Sequence, residues 1–494
     1  MEKNEIVFRG ARTIDPETKL DAVCDVAVNN GKISAVAPGG DPQLVGLTEV
    51  DISEKVLAPG FIDLHSHCND LPSRLLQVCD GVTTALELEA GQLNVDQAYE
   101  NFSKSGSPNN FGYSASWALA RMKSCGLDVS KGLDAFAEHI NSPEWHRVMN
   151  PREHGMMIDS LSSELEQGAL GIGILLGYCM ESPGSEYLEI AKLAAETRTA
   201  TFTHVREFDR PDSGLYGAQE VVAAALTTGA HMHICHVNST STRQIDNVQL
   251  LLAGARDQGL RVTTEAYPYG AGATFIGAGF LDPEKMAFTA LEPRDVYILA
   301  TGERPQTAAR LQELRESDPS AMVIVDFLRT EDLDDLGFLT RALLFDDTAV
   351  ASDAMPLVLP NGYENSDGLW PLPAGTTTHP RTAGTFSRIF RWYVRELGIL
   401  DVAEAVRRCT LIPAEVLKDV SPAMKRKGRI QVGADADLVI FDANKISDNA
   451  TYADPIQISS GIEHVLVNGA FVIKNGELIE GSLPGKPVRG EVSA

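Results

Sequence analysis

The sequence predicts an α/β fold, a (β/α)8 TIM barrel with a small β-sandwich domain built from both chain ends. Two features predict it. Between residues 58 and 415, apolar strand-like runs alternate with helical stretches, and βα units in this number imply a parallel sheet that closes into a barrel. Residues 5–57 and 427–475 are instead rich in short strands, and the N-terminal part is too small to be stable alone. We therefore expect segments 1–57 and 416–494 to form one sandwich and 58–415 to form the barrel.

Each predicted element has a local signal. Asn30-Gly31 is typical of a tight hairpin turn in the N-terminal segment. The predicted barrel strands are Thr83–Leu88, Ala169–Leu175, Ala200–His204, His231–His236, Arg261–Ala266 and Thr348–Ser352, and the predicted helices are Glu186–Thr197, Ala218–Thr228, Thr242–Gln258 and Thr307–Ser317. Residues 356–380 form a Pro/Gly-rich loop, which we expect to be a lid because long loops in compact domains are usually functional. The alternative is a solvated surface excursion.

The composition limits the partners of the chain. Its 494 residues are 44% apolar and 22% charged, with a formal net charge of −26. This charge argues against nucleic acid and anionic lipid, so we expect a small-molecule partner, and a homo-oligomer remains compatible with it. The seven cysteines have no C-x-x-C spacing, which favours reduced thiols. Without a recognisable signal peptide or a membrane-length apolar run, the expected location is the cytoplasm.

The stretch Val56–His67 carries the first chemical signal. An apolar run leads to His65 and His67, and positions i and i+2 of an extended strand point the same way. Two imidazoles at the end of a buried strand can bind one cation. In a parallel barrel the chemistry lies at the carboxyl ends of the strands, so further ligands are expected there.

Other strand ends carry suitable side chains. Glu87 and Glu89 share a face, and Glu89 is favoured because it lies nearer its strand end. His204, His236 and Asp353 end three later strands, whereas His231 and His233 are expected to be core histidines. Nitrogen and oxygen donors of this mixture suit Zn2+, as one or two ions, with Mn2+, Co2+ or Ni2+ as substitutes. The sequence has no dinucleotide-binding or P-loop motif.

These features resemble the metal-dependent amidohydrolase superfamily. The resemblance covers Ala58–His67, the later histidines, Ser352-Asp353 and a closing β-sandwich segment over 428–442. Four segments are similar to the N-acyl-D-amino-acid deacylase (D-aminoacylase) branch: Thr203–Glu207, Tyr267–Gly272, Ser352–Pro356, and His379-Pro380-Arg381 with Gly384-Thr385-Phe386.

The resemblance implies hydrolysis of a C–N amide bond in an N-acyl amino acid or a related amide. It implies His65, His67, His204 and His236 as metal ligands and Asp353 as the catalytic acid/base. It also implies that Arg381 and Tyr178 hold the substrate carboxylate. Two departures concern the ligands: Glu89 stands where the family has a cysteine ligand, and Asn238 stands where it tends to have a carboxylate-binding lysine.

Three alternatives remain open at this point. A cyclic amide hydrolase or a deaminase could use the same barrel. A hydantoinase-like enzyme normally has a carboxylated lysine at a strand end, but Lys192 lies in a predicted helix. A non-enzymatic scaffold is the alternative of another class, and it should have lost some of the ligands.

Overall fold

The computed structural model describes residues 3–207, 210–363, 365–366 and 368–491. Its strands are β1 (Asn4–Asp15), β2 (Leu20–Asn29), β3 (Lys32–Pro38), β4 (Gly46–Asp51), β5 (Val56–Pro59), β6 (Phe61–Asp63), β7 (Val82–Gln92), β8 (Asn110–Ser116), β9 (Gly171–Leu175), β10 (Ala200–His204), β11 (His231–Ile234), β12 (Val262–Ala266), β13 (Ala271–Phe275), β14 (Val296–Ile298), β15 (Met322–Asp326), β16 (Thr348–Val350), β17 (Leu438–Phe441), β18 (Ile462–Val467), β19 (Ala470–Lys474) and β20 (Glu477–Leu478).

The helices separate the barrel strands and follow the last of them. They are α1 (Leu71–Cys79), α2 (Val95–Ser105), α3 (Trp117–Ser124), α4 (Leu133–Glu138), α5 (Pro143–His146), α6 (Pro151–Glu166), α7 (Gly184–Glu196), α8 (Ser213–Thr228), α9 (Val237–Ser241), α10 (Ile245–Asp257), α11 (Met286–Thr289), α12 (Ala308–Ser317), α13 (Leu333–Leu344), α14 (Arg381–Arg388), α15 (Val402–Cys409) and α16 (Leu411–Leu417). A π-helix over Ile389–Glu396 extends α14, and short 3-10 turns lie at Leu176–Tyr178, Thr242–Gln244, Gly279–Leu281, Pro293–Asp295 and Met424–Arg426. Local caps fix several boundaries: Asn150 and Glu153 form a capping box at the start of α6.

One nine-stranded sheet contains strands from both ends of the chain. Its order is β20-β19-β18-β17-β5-β1-β2-β3, with β4 also paired to β1. The two ends meet where β5 pairs antiparallel with β17, with Leu57 opposite Ile440. Apolar residues such as Phe8, Val26, Leu438 and Leu466 are buried in one core cluster, which explains why neither end needs to be stable alone. The predicted joining of both ends is confirmed.

The barrel sheet has eight strands in the order β16-β12-β11-β10-β9-β8-β7-β6. Neighbouring strands such as β9, β10, β11 and β12 are parallel, as the alternating βα pattern predicts. Gly173 in β9 is required by close packing, because a Cβ there would lie 2.7 Å from Ser114 Oγ. A separate three-stranded antiparallel sheet, β13-β15-β14, lies in the connection between β12 and β16.

The described residues divide into two compact units. The first comprises residues 3–86, 99–112 and 349–488, and includes the nine-stranded sheet. The second comprises residues 87–98, 113–348 and 489–491, and includes β9 to β12. The sequence-based boundaries at 57/58 and 415/416 stay a prediction.

Several predicted elements differ from the structure in their bounds. The strand predicted over His231–His236 ends at Ile234, and the helix predicted over Thr242–Gln258 is a 3-10 turn followed by α10. The predicted strands omitted β8, in which Phe111 and Tyr113 alternate with small or polar residues and all seven residues are buried. The predicted hairpin at Asn30-Gly31 is confirmed, since β2 and β3 pair antiparallel on either side of two residues with positive φ.

Two further expectations concern the surface. In the predicted lid, 356–380, Glu364 and Asp367 lie outside the described residues. Val358 and Thr377 form an antiparallel bridge within this loop, with N···O distances of 2.8 and 2.9 Å, and its role as a lid stays a prediction. Among the described residues, no helix combines the length and the apolar character needed to cross a membrane.

Candidate metal-binding site

The first group of candidate ligands belongs to the first unit and contains His65, His67 and Asp353. The Nε2 atoms of the two histidines are 3.2 Å apart, and Asp353 Oδ1 lies 3.3 Å from His65 Nε2 and 3.5 Å from His67 Nε2. All three residues are buried. His65 and His67 follow β6, and Asp353 follows β16, so each lies beyond the carboxyl end of a barrel strand as predicted.

Asp63 holds the backbone of this first group. Its Oδ1 accepts hydrogen bonds from the backbone N–H groups of His65 at 3.2 Å and Ser352 at 2.9 Å, and its Oδ2 accepts from Gln77 Nε2 at 3.0 Å. Burial raises the pKa of Asp63 to about 6, against hydrogen bonds from Ser352 that lower it. One carboxyl group therefore fixes the chain next to both His65 and Asp353.

Arg381 contacts the predicted acid/base. Its Nη2 lies 2.9 Å from Asp353 Oδ2, and the side chain of Arg381 is fully buried. The arginine comes from the first turn of α14. The sequence predicted Arg381 as a group for a substrate carboxylate, and in the structure it contacts a carboxylate of the chain itself.

The second group belongs to the second unit and contains Glu89, His204 and His236. Glu89 Oε1 lies 3.1 Å from His204 Nδ1 and 2.7 Å from His236 Nε2. The three ligand atoms lie within 4.8 Å of one another, and all three residues are buried. His204 ends β10, His236 follows β11, and Glu89 lies in the last part of β7.

The donor atoms fit a small cation with nitrogen and oxygen ligands. In a tetrahedral Zn2+ site with bonds of about 2.0–2.1 Å, neighbouring ligand atoms are about 3.3 Å apart. The distances of 2.7–3.1 Å around Glu89 and of 3.2 Å between the first two histidines are close to this value. The residues present therefore fit Zn2+ or a similar borderline metal ion.

The structure separates the two carboxylates that alternation could not. Glu87 is buried, and its Oε1 accepts a hydrogen bond from the backbone N–H of Ala90 at 3.3 Å. Glu89 is the carboxylate that contacts His204 and His236.

The remaining predicted substrate residues have definite partners. Tyr178 Oη lies 2.8 Å from Thr274 Oγ1, and its ring centroid is 5.0 Å from that of His204. Asn238 is buried, and its Oδ1 accepts from the backbone N–H of Tyr267 at 3.3 Å. Among the described residues, its Nδ2 has no hydrogen-bond partner.

The structure also locates Lys192, the two predicted core histidines and the cysteines. Lys192 lies in α7 with 69% of its side chain exposed, so it is not at a strand end. His231 and His233 are buried and each contacts Thr263 Oγ1, at 2.9 and 2.8 Å. None of the seven cysteines, all of which lie within the described residues, forms a disulfide.

Sequence reasoning missed two residues next to the second group. A Cβ on Gly177 would lie 2.6 Å from His204 Nε2, and sequence alone gives no sign of this contact. Glu265 in β12 contacts the backbone of His236. The strand-end rule that selected the other candidates, applied to the predicted strand Arg261–Ala266, would have found Glu265.

Comparison with known proteins identifies the family. The model of the amidohydrolase family matches residues 114–473, well over half of the chain. The chain belongs to the amidohydrolase family. This amidohydrolase is therefore a hydrolase that acts on carbon–nitrogen bonds other than peptide bonds.

Relatives of this amidohydrolase include deacylases. It is 27% identical to an N-acyl-D-glutamate deacylase of Alcaligenes xylosoxydans xylosoxydans, over 100% of this chain and 98% of the relative. It is 24% identical to a D-aminoacylase of the same organism, over 95% of this chain and 94% of the relative. These similarities place it in the D-aminoacylase branch that the sequence motifs resemble.

A solved structure supports the fold. The crystal structure of N-acyl-D-glutamate deacylase from Bordetella bronchiseptica, complexed with zinc and a phosphonate inhibitor, matches with a TM-score of 0.77 at 24% identity. The match covers 99% of this chain and 100% of that one. The predicted barrel with a β-sandwich domain is confirmed.

Proposed function

We propose that this amidohydrolase is a metal-dependent deacylase that hydrolyses the amide bond of N-acyl amino acids. The observation that carries the proposal is the buried group of Glu89, His204 and His236, whose donor atoms lie within 4.8 Å of one another. Three buried polar side chains converging in this way are costly unless they share a ligand or a proton. The printed names of the relatives support the substrate class.

The candidate ligands form two groups, which supports one or two bound ions. Glu89, His204 and His236 would hold one cation, and His65 with His67 would supply the ligands of the other group. Zn2+ bound to such ligands supplies Lewis acidity for amide hydrolysis. Mn2+, Co2+ and Ni2+ accept the same donors.

Asp353 is proposed as the general acid/base. Its side chain is 10% exposed and is held through Oδ2 by Arg381, while Oδ1 lies beside the first two histidines. In the proposed reaction Asp353 accepts the proton of the attacking water and then donates it to the departing nitrogen. The contact with Arg381 fixes the orientation of the carboxylate during both transfers.

Three residues are proposed to bind the substrate. Asn238 Nδ2 is a buried donor that has no hydrogen-bond partner among the described residues, and a substrate oxygen would satisfy it. The guanidinium of Arg381 has five N–H donors, so it can bind Asp353 and a substrate carboxylate together. The ring of Tyr178, beside His204, would contact the substrate side chain or acyl group. Cysteines in the reduced state and the acidic composition support a cytoplasmic location.

A substrate screen with defined metal content tests the proposal. Metal-stripped protein is reloaded with Zn2+ and assayed for amine release from N-acetyl amino acids of both hands, dipeptides and cyclic amides. We expect turnover of N-acetyl amino acids that disappears on chelation and returns with Zn2+. Turnover of cyclic amides alone would favour the hydantoinase-like alternative. Protein that neither binds Zn2+ nor turns over any substrate would favour a scaffold.

A further inference from the structure

His236 adopts a strained backbone conformation. Its φ of 31° and ψ of 57° lie in the left-handed region, which a residue with a side chain beyond Cβ rarely adopts. Such a conformation is strained and persists only where neighbouring groups hold it. His236 is a proposed metal ligand, so whatever holds this conformation also sets the direction of its imidazole.

Glu265 contacts the backbone at this point. It lies in β12, is 1% exposed, and its Oε1 accepts a hydrogen bond from the backbone N–H of His236 at 3.4 Å. Its Oε2 lies 3.1 Å from His233 Nε2. His233 is fully buried, and its Nδ1 lies 2.8 Å from Thr263 Oγ1. The carboxylate is therefore anchored on one side by a histidine that is itself anchored, and it bonds the strained residue on the other.

A second hydrogen bond links the same two segments. The backbone N–H of Tyr267, after β12, donates to Asn238 Oδ1, two residues after His236. The parallel register of β11 and β12, with Ile234 opposite Thr264, brings these segments side by side. The turn that carries His236 is thus bonded to the end of β12 both at His236 and just after it.

We infer that Glu265 is a positioning residue that holds His236 in its left-handed conformation and thereby raises the affinity of the Glu89–His204–His236 group for its metal ion. The inference rests on the proposed metal-binding function but not on the choice of substrate. Outer-shell partners of metal ligands typically contribute about 10–100-fold to metal affinity. In this role Glu265 acts through the backbone of His236 and is not counted among the ligands of that group.

Three substitutions separate positioning from general stability. Glu265→Met removes the acceptor, and Glu265→Asp keeps the charge but shortens the side chain, so that one carboxylate can no longer reach both partners. Glu265→Gln keeps an oxygen acceptor at full length and should rescue the affinity, since neutral His233 can accept from the new amide.

The chain offers a matched control. Glu164 is also buried, and its carboxylate accepts the backbone N–H groups of Asn94 at 2.9 Å and Val95 at 2.8 Å. Asn94, like His236, has a positive φ, here 56°. Neither Asn94 nor Val95 is a candidate ligand, so Glu164→Met repeats the chemical change without touching a proposed metal site.

The experiment measures the Zn2+ dissociation constant by competition with a chromophoric chelator, together with the melting temperature of the metal-free protein. We expect Glu265→Met and Glu265→Asp to raise the dissociation constant of one site by about 10–100-fold, with Glu265→Gln and Glu164→Met within about threefold of wild type. Wild-type affinity in Glu265→Asp, or an equal loss in Glu265→Gln, would overturn the inference even if Glu265→Met does not fold. Wild-type protein that binds no Zn2+ would instead refute the proposed function, and the inference with it.

Discussion

The Nη2 atom of Arg381 lies 2.9 Å from Oδ2 of Asp353, and the two side chains are 0% and 10% exposed. A buried ion pair contributes little relative to a well-packed apolar pair, but loss of one partner exposes the other to the full cost of a buried charge. This asymmetry gives the first prediction.

Arg381→Met should lower the free energy of unfolding of the metal-free protein by about 3–5 kcal/mol, because a buried carboxylate loses its cation. Urea unfolding measures the change. The control is Arg147→Met: Arg147 pairs with Glu153 at 2.7 Å, but its side chain is 45% exposed, so a much smaller loss is expected. Equal losses of unfolding free energy in the two variants would show that burial of the Arg381–Asp353 pair does not increase the effect of losing the arginine.

Asp353→Asn should keep the zinc content of the protein while turnover falls by at least about 100-fold, since the amide cannot accept the proton of the attacking water. Metal analysis and the rate of amine release on the same preparation test both parts. Undiminished turnover would remove Asp353 from the mechanism.

Glu89→Ala should remove about one equivalent of bound Zn2+, or weaken it by well over tenfold, because the carboxylate contacts both His204 and His236. Glu87→Ala is the matched control two residues earlier, where the carboxylate accepts a hydrogen bond from Ala90. Equilibrium dialysis gives the stoichiometry. Loss of zinc in the Glu87 variant alone would reverse the assignment.

Gly177→Ala should weaken zinc binding and destabilise the fold by about 1–3 kcal/mol, since the added methyl group would lie 2.6 Å from His204 Nε2. Gly155→Ala provides the contrast, because a Cβ there meets no atom within 4 Å and lies within α6. That variant should be more stable by about 0.5–1 kcal/mol. Thermal melts and zinc titrations distinguish the two sites, and normal zinc affinity in Gly177→Ala would contradict the prediction.

The buried side chain of His231 should make the stability of the folded protein sensitive to acid. Burial lowers its pKa to about 3, with smaller contributions from Arg261 and His233. The folded state therefore binds fewer protons than the unfolded state between pH 3 and 6.5. The free energy of unfolding consequently decreases as the pH falls from 6.5 to 3.

His231→Gln should remove this dependence. Between pH 7 and pH 4.5 the wild type should lose about 2–3 kcal/mol of unfolding free energy that the variant keeps. Urea unfolding at both pH values measures the difference. Parallel pH profiles for wild type and His231→Gln would exclude the proposed cause.

The sequence predicts the repeated βα units of the barrel, but it does not predict elements whose burial depends on neighbouring segments. Alternating βα units predict the barrel, because each unit carries its own apolar pattern. The strand β8 does alternate, with Phe111, Tyr113 and Ala115 at every second position, but all seven of its residues are buried, so its polar residues are covered by neighbouring segments and not by solvent.

The candidate site shows the same limit at single residues. Position at a strand end selected Glu89, His204, His236 and Asp353, whereas strand alternation indicates only which face a residue lies on. It cannot describe His236 and Asp353, which follow the ends of their strands at φ values of 31° and 52°. Their side-chain directions depend on left-handed backbone conformations that hydrogen bonds from distant residues maintain.

The pairing of β5 with β17 affects the synthesis of the chain as well as the finished sheet. Leu57 cannot pair with Ile440 until the ribosome has added about 380 further residues. At a synthesis rate of about 5–20 residues per second, this takes roughly 20–80 s. Until then one edge of β5 presents unpaired N–H and C=O groups, which can pair with strands of other chains. The nascent chain is therefore more prone to aggregate than the folded protein, and its yield should depend on chaperones that bind the emerging N-terminal strands.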